Sequence, residues 1–462
     1  MKTFDIQERV AGAVTIGSDR GQTVILAGRM AERGNREKIY FDASDNFVVL
    51  DVGKRGSGKS YGLAAILEGF ATGPTSAIAR HGEPRAVVLL DPLDVHWPAL
   101  IPLRPDGPPG LVRQHGLLTA WPGLEVEPIQ VQVFVPAGHA WPVADHSGFR
   151  EYRMPVSEMT SADWALLLQT DLVTEPRGRL LDDAHRKVTQ LGWQTSPNGP
   201  VRDSKREYGV GDLIECMEKD HEIDALYHSE TRRSVVQALR SFQRMPLFEA
   251  TTGTPMTDVA RAGVLSILSL GRLSEDLRTV VATVFVRKLK SDRTYASQIL
   301  RRLALSHETE TTRSNLAQEA ARHVPRTVLA IDEAQILMPA RISSMARQAL
   351  DSFVLEGRNF GLSLWLATQR PKGAISDAAI SQIDTFIVHR LSVDEDIRAV
   401  CGMLQSREPQ TIRLDGRDLD MSALIRSLDV GQAVFSSATS TSSRLVVGEI
   451  RPRMVAHGGE SF

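Results

Sequence analysis

Short apolar runs, each closed by a polar or glycine-bearing turn, recur along the chain. Phe47–Val52 stops at Gly53, Ala86–Asp91 runs into Pro92, Thr327–Asp332 into Glu333, and Leu362–Gln369 into Arg370 and Pro371. Such runs, short and without polar alternation, predict strands buried on both faces, as in a parallel sheet. Gly263–Leu270 and Thr385–Leu391 read the same way, and residues 431–437 and 444–450 add two more strands. Between them the pattern turns helical: over Lys59–Ala71, over a series from Thr160 to Met245 with Ser161 or Asp163 as its first cap, over 275–290 behind a Ser274 cap, and from the acid pair at 332–333 to about Leu355. Residues 1–42 predict short β elements such as Val24–Gly28. The Pro- and Gly-rich stretch 97–149 predicts loops around one strand, Ile129–Val135, and the polar stretch 306–315 predicts a mobile loop. No internal repeat is visible.

Alternating buried strands and helices predict an open α/β fold with a mostly parallel sheet. The expected organisation is a short N-terminal β segment (1–42), a core in two parts (43–150 and 246–449), a helical insertion (151–245) and a C-terminal tail (450–462).

Composition narrows the field. At 462 residues the chain is roughly three domain-sized units long. Lys and Arg number 54 against 56 Asp and Glu, a net charge of −2, with 42% hydrophobic residues. That balance excludes wholesale disorder and a globally basic nucleic-acid coat, so any DNA contact must come from a local patch or from a pore built by several copies. Cys216 and Cys401 are far apart and have no Cys or His at ligand spacing, which argues against a disulfide framework or structural zinc. His81 and His221 likewise lack metal-site partners. The N-terminus lacks the apolar core of a signal peptide. Apolar stretches such as Thr279–Val286 fall short of the ~18 residues that cross a bilayer. A soluble protein of the reducing cytoplasm is expected.

The chemistry is concentrated at two strand ends. Gly53-Lys54-Arg55-Gly56-Ser57-Gly58-Lys59-Ser60 fits the phosphate-loop pattern G-x-x-x-x-G-K-[ST] between a predicted strand and a predicted helix. Its backbone would wrap a phosphate at the positive end of the helix. Lys59 would reach the β/γ-phosphates of ATP and Ser60 would ligate Mg²⁺, with Gly53, Arg55, Gly56, Ser57, Gly58 and Tyr61 completing the nucleotide site. Gly58–Gly62 also matches a nucleophile elbow, G-x-S-x-G, but the phosphate loop accounts for the same residues with fewer assumptions. Asp332 and Glu333 at the next strand tip suit a metal carboxylate and a base for the attacking water, or a helix N-terminal acid pair. The letters D-E-A-Q there invite comparison with two-lobed helicases. Only 130 residues follow Asp332, however, too few for a second lobe. Gln369, at the end of a later strand, could sense the γ-phosphate. Arg358 could neutralise transition-state charge in a neighbouring subunit, with Arg390 as its rival and a surface salt bridge as the simpler reading of either.

Taken together, GKRGSGKS, VLLDP, VLAIDEAQ, EGRNFG, LATQRP, TFIVHRL and RPRMVAHGG resemble the HerA branch of the HerA/FtsK ATPases over roughly residues 43–455. The resemblance implies a RecA-like P-loop core and a hexameric ring motor that moves double-stranded DNA through its pore. It assigns Lys59 and Ser60 to the phosphate loop, Asp332 to the metal, Glu333 to the base, Gln369 to the sensor and Arg358 to the finger acting in trans. It also implies a nuclease or other effector as partner, anti-phage systems included, and no membrane. One departure stands out: about 42 residues precede the first core strand, where the family usually has a β-barrel of about a hundred residues that docks the nuclease.

Several basic clusters are candidate DNA contacts or plain solvated faces: Arg233, Arg240 and Arg244; Arg287, Lys288, Lys290 and Arg293; Arg301 and Arg302; Arg341 and Arg347. Phosphate contacts need no base-reading geometry, and a ring repeats each patch. The expected activity is Mg²⁺-dependent ATP hydrolysis coupled to DNA translocation. The alternative is a nucleotide-gated ring scaffold that regulates an effector without processive motion. A small-molecule kinase lacks an acceptor lid.

Overall fold

The structure, a computed structural model, describes all residues except 7–12, 19, 33–35, 140–147, 250–252, 306, 338–344, 372–379, 405–411, 439–442 and 459–462. Its centre is one large sheet. In chain order the main strands are β1 (Val14–Gly17), β2 (Val24–Met30), β3 (Lys38–Asp42), β4 (Val48–Val52), β5 (Ala86–Asp91), β6 (Val131–Pro136), β7 (Phe149–Tyr152), β8 (Leu265–Ser269), β9 (Thr327–Ile331), β10 (Leu362–Thr368), β11 (Thr385–His389), β12 (Gln432–Ala438) and β13 (Ser443–Ile450). Across the sheet they run β1-β3-β2-β13-β12-β11-β4-β10-β9-β5-β8-β6-β7. From β11 to β7 every pairing is parallel. Beyond β11 the pairings are antiparallel as far as β3. The fold is the expected α/β architecture around a mostly parallel central sheet.

The apolar runs behave as parallel strands must. All five residues of β4, β9 and β11 are buried, because helices cover both faces. Val49 faces Leu63, Ile66 and Leu67 of α1 (Lys59–Glu68), whereas Leu50 and Val52 face the other core. That second core holds the helices between β7 and β8, α3 (Ser161–Leu167), α4 (Pro176–Arg186), α5 (Val210–Lys219), α6 (His221–Leu226) and α7 (Ser229–Gln243). It also takes the buried face of α8 (Glu275–Leu305). At the antiparallel end the sheet bends back: the Gly17 N–H of β1 donates to Ser437 Oγ of β12 at 3.3 Å.

The structure corrects four local expectations. Within 97–149 lies a helix, α2 (Pro109–Thr119), with proline in its first turn; proline's fixed φ suits that position. The polar stretch 306–315 enters another helix, α9 (Glu310–Ala321), where Thr309 caps by accepting from Thr312 N. The cap of α3 is Thr160, not Ser161 or Asp163. Its side chain accepts from Asp163 N, and the Asp163 carboxylate returns the bond to Thr160 N. Helix α8 continues to Leu305, well past residue 290. Both cysteines are free thiols. Among the described residues no helix is long and apolar enough to cross a membrane.

Candidate nucleotide site

Register brings the strand ends together. Val52 lies opposite Thr368, and Ile331 lies opposite both Leu366 and Leu90. The residues that follow them, Gly53, Gln369, Asp332 and Asp91 (the last residue of β5), therefore line up along one edge of the sheet. β10 separates the phosphate-loop strand β4 from the acid-pair strand β9.

The loop from Gly53 to Gly58 is fastened to its neighbours by backbone bonds, Gly53 N to Thr368 O and Lys54 N to Arg390 O. Two of its glycines are required. A Cβ on Gly53 would lie 2.5 Å from Ser57 Oγ and 2.8 Å from His389 Cβ. Gly58, the N-cap of α1, has φ 99°, a left-handed value that side chains disfavour. Helix α1 has no side-chain cap and no acidic residue in its first turn, so its unsatisfied amides and positive dipole end face the loop uncompensated. Ser57 is buried, and its hydroxyl has no hydrogen-bond partner among the described residues. Arg55 and Gly56 are exposed at the tip, and Ser60 follows Lys59 in the first turn of α1.

Lys59 closes the site. Its Nζ lies 2.6 Å from Asp332 Oδ1 and 3.2 Å from Glu333 Oε1, with all three side chains buried. Burial alone would lower the ammonium's pKa, but the two carboxylates raise it. Burial alone would raise Asp332, yet Lys59 and the bond from His96 hold it below the usual carboxylate range. Glu333 sits at φ 47°. Its Oε1 accepts from Gln369 Nε2 at 2.7 Å, its Oε2 from the Gln335 amide, and Gln335 Oε1 from Thr368 Oγ1 at 2.8 Å. The structure thus brings Lys59, Asp332, Glu333 and Gln369 into one hydrogen-bonded group. The hydroxyl and carboxylate oxygens of Ser60 and Asp332 are hard donors of the kind Mg²⁺ prefers. Among the described residues no cluster of three or more Asp, Glu, His or Cys could hold a metal by itself.

Other expected residues lie apart. The Tyr61 hydroxyl accepts from Arg453 N, and its ring meets His457 edge-on, tying α1 to the C-terminal tail. Arg358 sits before β10, its guanidinium donating to Gln382 O and pairing with Asp384, which precedes β11. It is therefore at the sheet edge opposite the phosphate loop, a strand's length of about 20 Å from Lys59. Burial lifts the Asp384 carboxyl to about 6 despite Arg358. Arg390, by contrast, adjoins the loop through its carbonyl. Most of the basic clusters are engaged within the chain: Arg287 with Asp163, Lys288 with Glu158, Lys290 with Glu356, Arg240 with Glu218 and Arg302 with Glu308. Arg341 lies outside the described residues.

Sequence reasoning missed several members of the site. His96 Nε2 lies 2.9 Å from Asp332 Oδ2, and the His96 N–H donates to Asp91 Oδ2 at 2.7 Å. Behind the loop Asp51 is fully buried, accepting from Trp365 Nε1 at 3.4 Å, with His389 Nε2 also 3.4 Å away. Burial pushes the Asp51 carboxyl up to about 8 against the pull of Lys59, and the His389 imidazole down to about 3. Gln335, Asp91 and His389 stand inside recognised motifs and Asp51 inside the run Phe47–Val52, but nothing in those patterns assigns them a role; His96 carries no pattern at all.

Comparison with known proteins places the chain in a family. The model of the helicase HerA central domain matches residues 49–289. The DNA double-strand break repair helicase HerA of Sulfurisphaera tokodaii is 21% identical over 282 residues, 60% of this chain and 50% of that protein. Its namesake from Saccharolobus solfataricus is 22% identical over 183 residues, 40% of this chain and 31% of that protein. The match thus spans half or less of the length of these relatives. Among solved structures, VirB4 of Thermoanaerobacter pseudethanolicus aligns with a TM-score of 0.49 at 15% identity, over 94% of this chain and 97% of that one. The bacterial conjugative coupling protein TrwBdeltaN70 aligns with a TM-score of 0.47 at 12% identity, over 96% and 91%.

Proposed function

The chain belongs to the helicase HerA central-domain family, whose model spans just over half of it, and from that premise we propose that it is a Mg²⁺-dependent ATPase that assembles as a hexameric ring and moves double-stranded DNA through its pore. The observation that carries this reading is the convergence of Lys59, Asp332, Glu333 and Gln369 beside an uncapped helix end.

In this reading the loop amides and α1 hold the phosphates, Lys59 neutralises the β/γ oxygens, and Ser60 and Asp332 hold Mg²⁺, which adds positive charge where phosphoryl transfer concentrates negative charge. Glu333, oriented by the amides of Gln335 and Gln369, takes the proton of the attacking water. Arg358 serves a neighbouring subunit. Its place at the sheet edge opposite its own phosphate loop supports a role in trans, and leaves Arg390 as the arginine next to the loop within the chain. A nuclease or another effector, in DNA repair or anti-phage defence, is the proposed partner, and the cytoplasm the proposed compartment. The names of the HerA relatives favour DNA work.

The test is ATP turnover with and without double-stranded DNA across a salt series, together with particle symmetry by electron microscopy. The motor requires rings and salt-sensitive stimulation by DNA. Turnover indifferent to DNA but altered by an effector would favour the nucleotide-gated scaffold, and a monomer under all conditions would remove the ring.

A further inference from the structure

Asp332 divides the work of its two carboxylate oxygens. Oδ1 accepts from Lys59 Nζ at 2.6 Å and from Glu333 N at 2.9 Å. Oδ2 accepts from His96 Nε2 at 2.9 Å. A carboxylate only accepts, so Nε2 must carry the hydrogen, an assignment made from the partners. His96 is itself held. It is 1% exposed, and its backbone N–H is tied to Asp91, the last residue of β5. Strands β5 and β9 are adjacent and in register, with Asp332 N donating to Leu90 O. His96 thus fixes Oδ2 from a neighbouring strand end, independently of the phosphate loop.

The two contacts to Oδ1 and Oδ2 differ in permanence. A lysine that turns to nucleotide phosphates gives up Oδ1, whereas nothing in the proposed reaction asks His96 to move. The terminal torsion of aspartate is broad. Without a bond on Oδ2 the carboxylate would be held, once Lys59 left, by the Glu333 amide on Oδ1 alone, and its plane could turn about that single contact.

We propose that His96 is a positioning residue that pins Oδ2 of Asp332 so that Oδ1 is presented to the metal–nucleotide complex when Lys59 departs. This rests on the reading of Asp332 as the metal carboxylate. Residues in this position around a metal ligand typically change metal affinity 10–100-fold.

The experiment uses the full chain loaded with a non-hydrolysable ATP analogue and titrated with Mn²⁺, free metal being read by electron paramagnetic resonance. His96→Ala should weaken Mn²⁺ binding about 10–100-fold while leaving analogue binding in EDTA near the unmodified value. His96→Gln, whose Nε2 can donate from a similar place, should recover most of the loss, which a purely space-filling role would not allow. Should His96→Ala fail to fold, His96→Phe fills the space without a donor and takes its place. Asp332→Asn separates the two levels. If it leaves Mn²⁺ affinity unchanged, the metal reading of Asp332 fails. If it weakens binding while His96→Ala or His96→Phe matches the unmodified protein, the positioning role of His96 is overturned and the metal reading stands.

Discussion

The Nζ of Lys59 lies 2.6 Å from Oδ1 of Asp332, although 273 residues separate them in the chain. The phosphate-loop lysine is thus the counterion of the acid pair, and one substitution should report on both. Lys59→Ala is expected to abolish ATP turnover and also to lower stability by about 3 kcal/mol, because two buried carboxylates lose their cation. Turnover and denaturant midpoints check this, and near-normal hydrolysis would sink the phosphate-loop assignment.

Glu333→Gln should separate binding from chemistry. The amide keeps the size of the side chain and leaves Asp332 untouched, but it cannot take a proton from water. Nucleotide binding, followed with a fluorescent analogue, should stay within a few-fold, while turnover falls by about 10²–10⁴. Lost nucleotide binding would make Glu333 structural instead.

Asp51 gives a pH prediction. Its folded pKa, about 8, stands above the ordinary 3.8 because burial penalises the charged form. The unfolded chain releases this proton near pH 4 and the folded chain only near pH 8. Between those values the unfolded state binds fewer protons, so this group costs stability as pH rises, by at most about 1.4 kcal/mol per pH unit. Asp51→Asn keeps the shape and removes the ionisation. Its stability relative to the unmodified chain should therefore improve from pH 5 to pH 8, as read by urea midpoints. A constant difference across that range would contradict the buried, protonated Asp51.

Glu68 anchors the C-terminal tail. Its carboxylate accepts from Arg453 Nε at 2.8 Å, Arg451 at 3.2 Å and Met454 N at 2.9 Å, and all three side chains of the ionic network are buried. Glu68→Ala leaves two buried guanidinium groups unpaired and should cost about 3–5 kcal/mol. Thermal unfolding together with limited proteolysis of the tail would show this, and an unchanged melting point would mean the pairs are exposed in solution.

That network also marks where sequence reading stopped. The stretch RPRMVAHGG was visible as part of a family resemblance, but nothing in it names Glu68, 383 residues upstream of Arg451. The phosphate loop and the acid pair were legible because each is local: an apolar strand, a turn with the right residues and a helix. Gln369 was legible because it ends such a strand. His96, Asp51 and His389 were not, because their roles arise where separate strands come into register. Helix α9 was hidden for another reason. None of its residues is buried, so it lacks the apolar stripe that announces a helix, and only the Thr309 cap signals its start. Thr160 as the cap of α3 was legible, since Thr160-Ser-Ala-Asp163 has the spacing of a capping box, but Ser161 and Asp163, being equally good cap residues, masked it.

The position of Arg358 makes the last prediction a test of the ring. Its guanidinium pairs with Asp384 at the sheet edge opposite its own phosphate loop. Arg358→Ala should therefore bind ATP nearly normally, because the loop, Lys59 and Asp332 are untouched. Turnover should still collapse, since fingers of this kind are worth on the order of 10³–10⁵ in rate. Mixing decides how it acts. Arg358→Ala and Lys59→Ala subunits are each expected to be inactive alone. In a mixed ring some interfaces pair an intact phosphate loop with an intact arginine from the next subunit, and part of the activity should return. If Arg358 acted within its own chain, each working site would need both residues from one subunit, and no mixture could recover. Verified mixed rings with no recovery would refute the trans role and turn attention to Arg390, whose carbonyl already holds Lys54 N beside the loop.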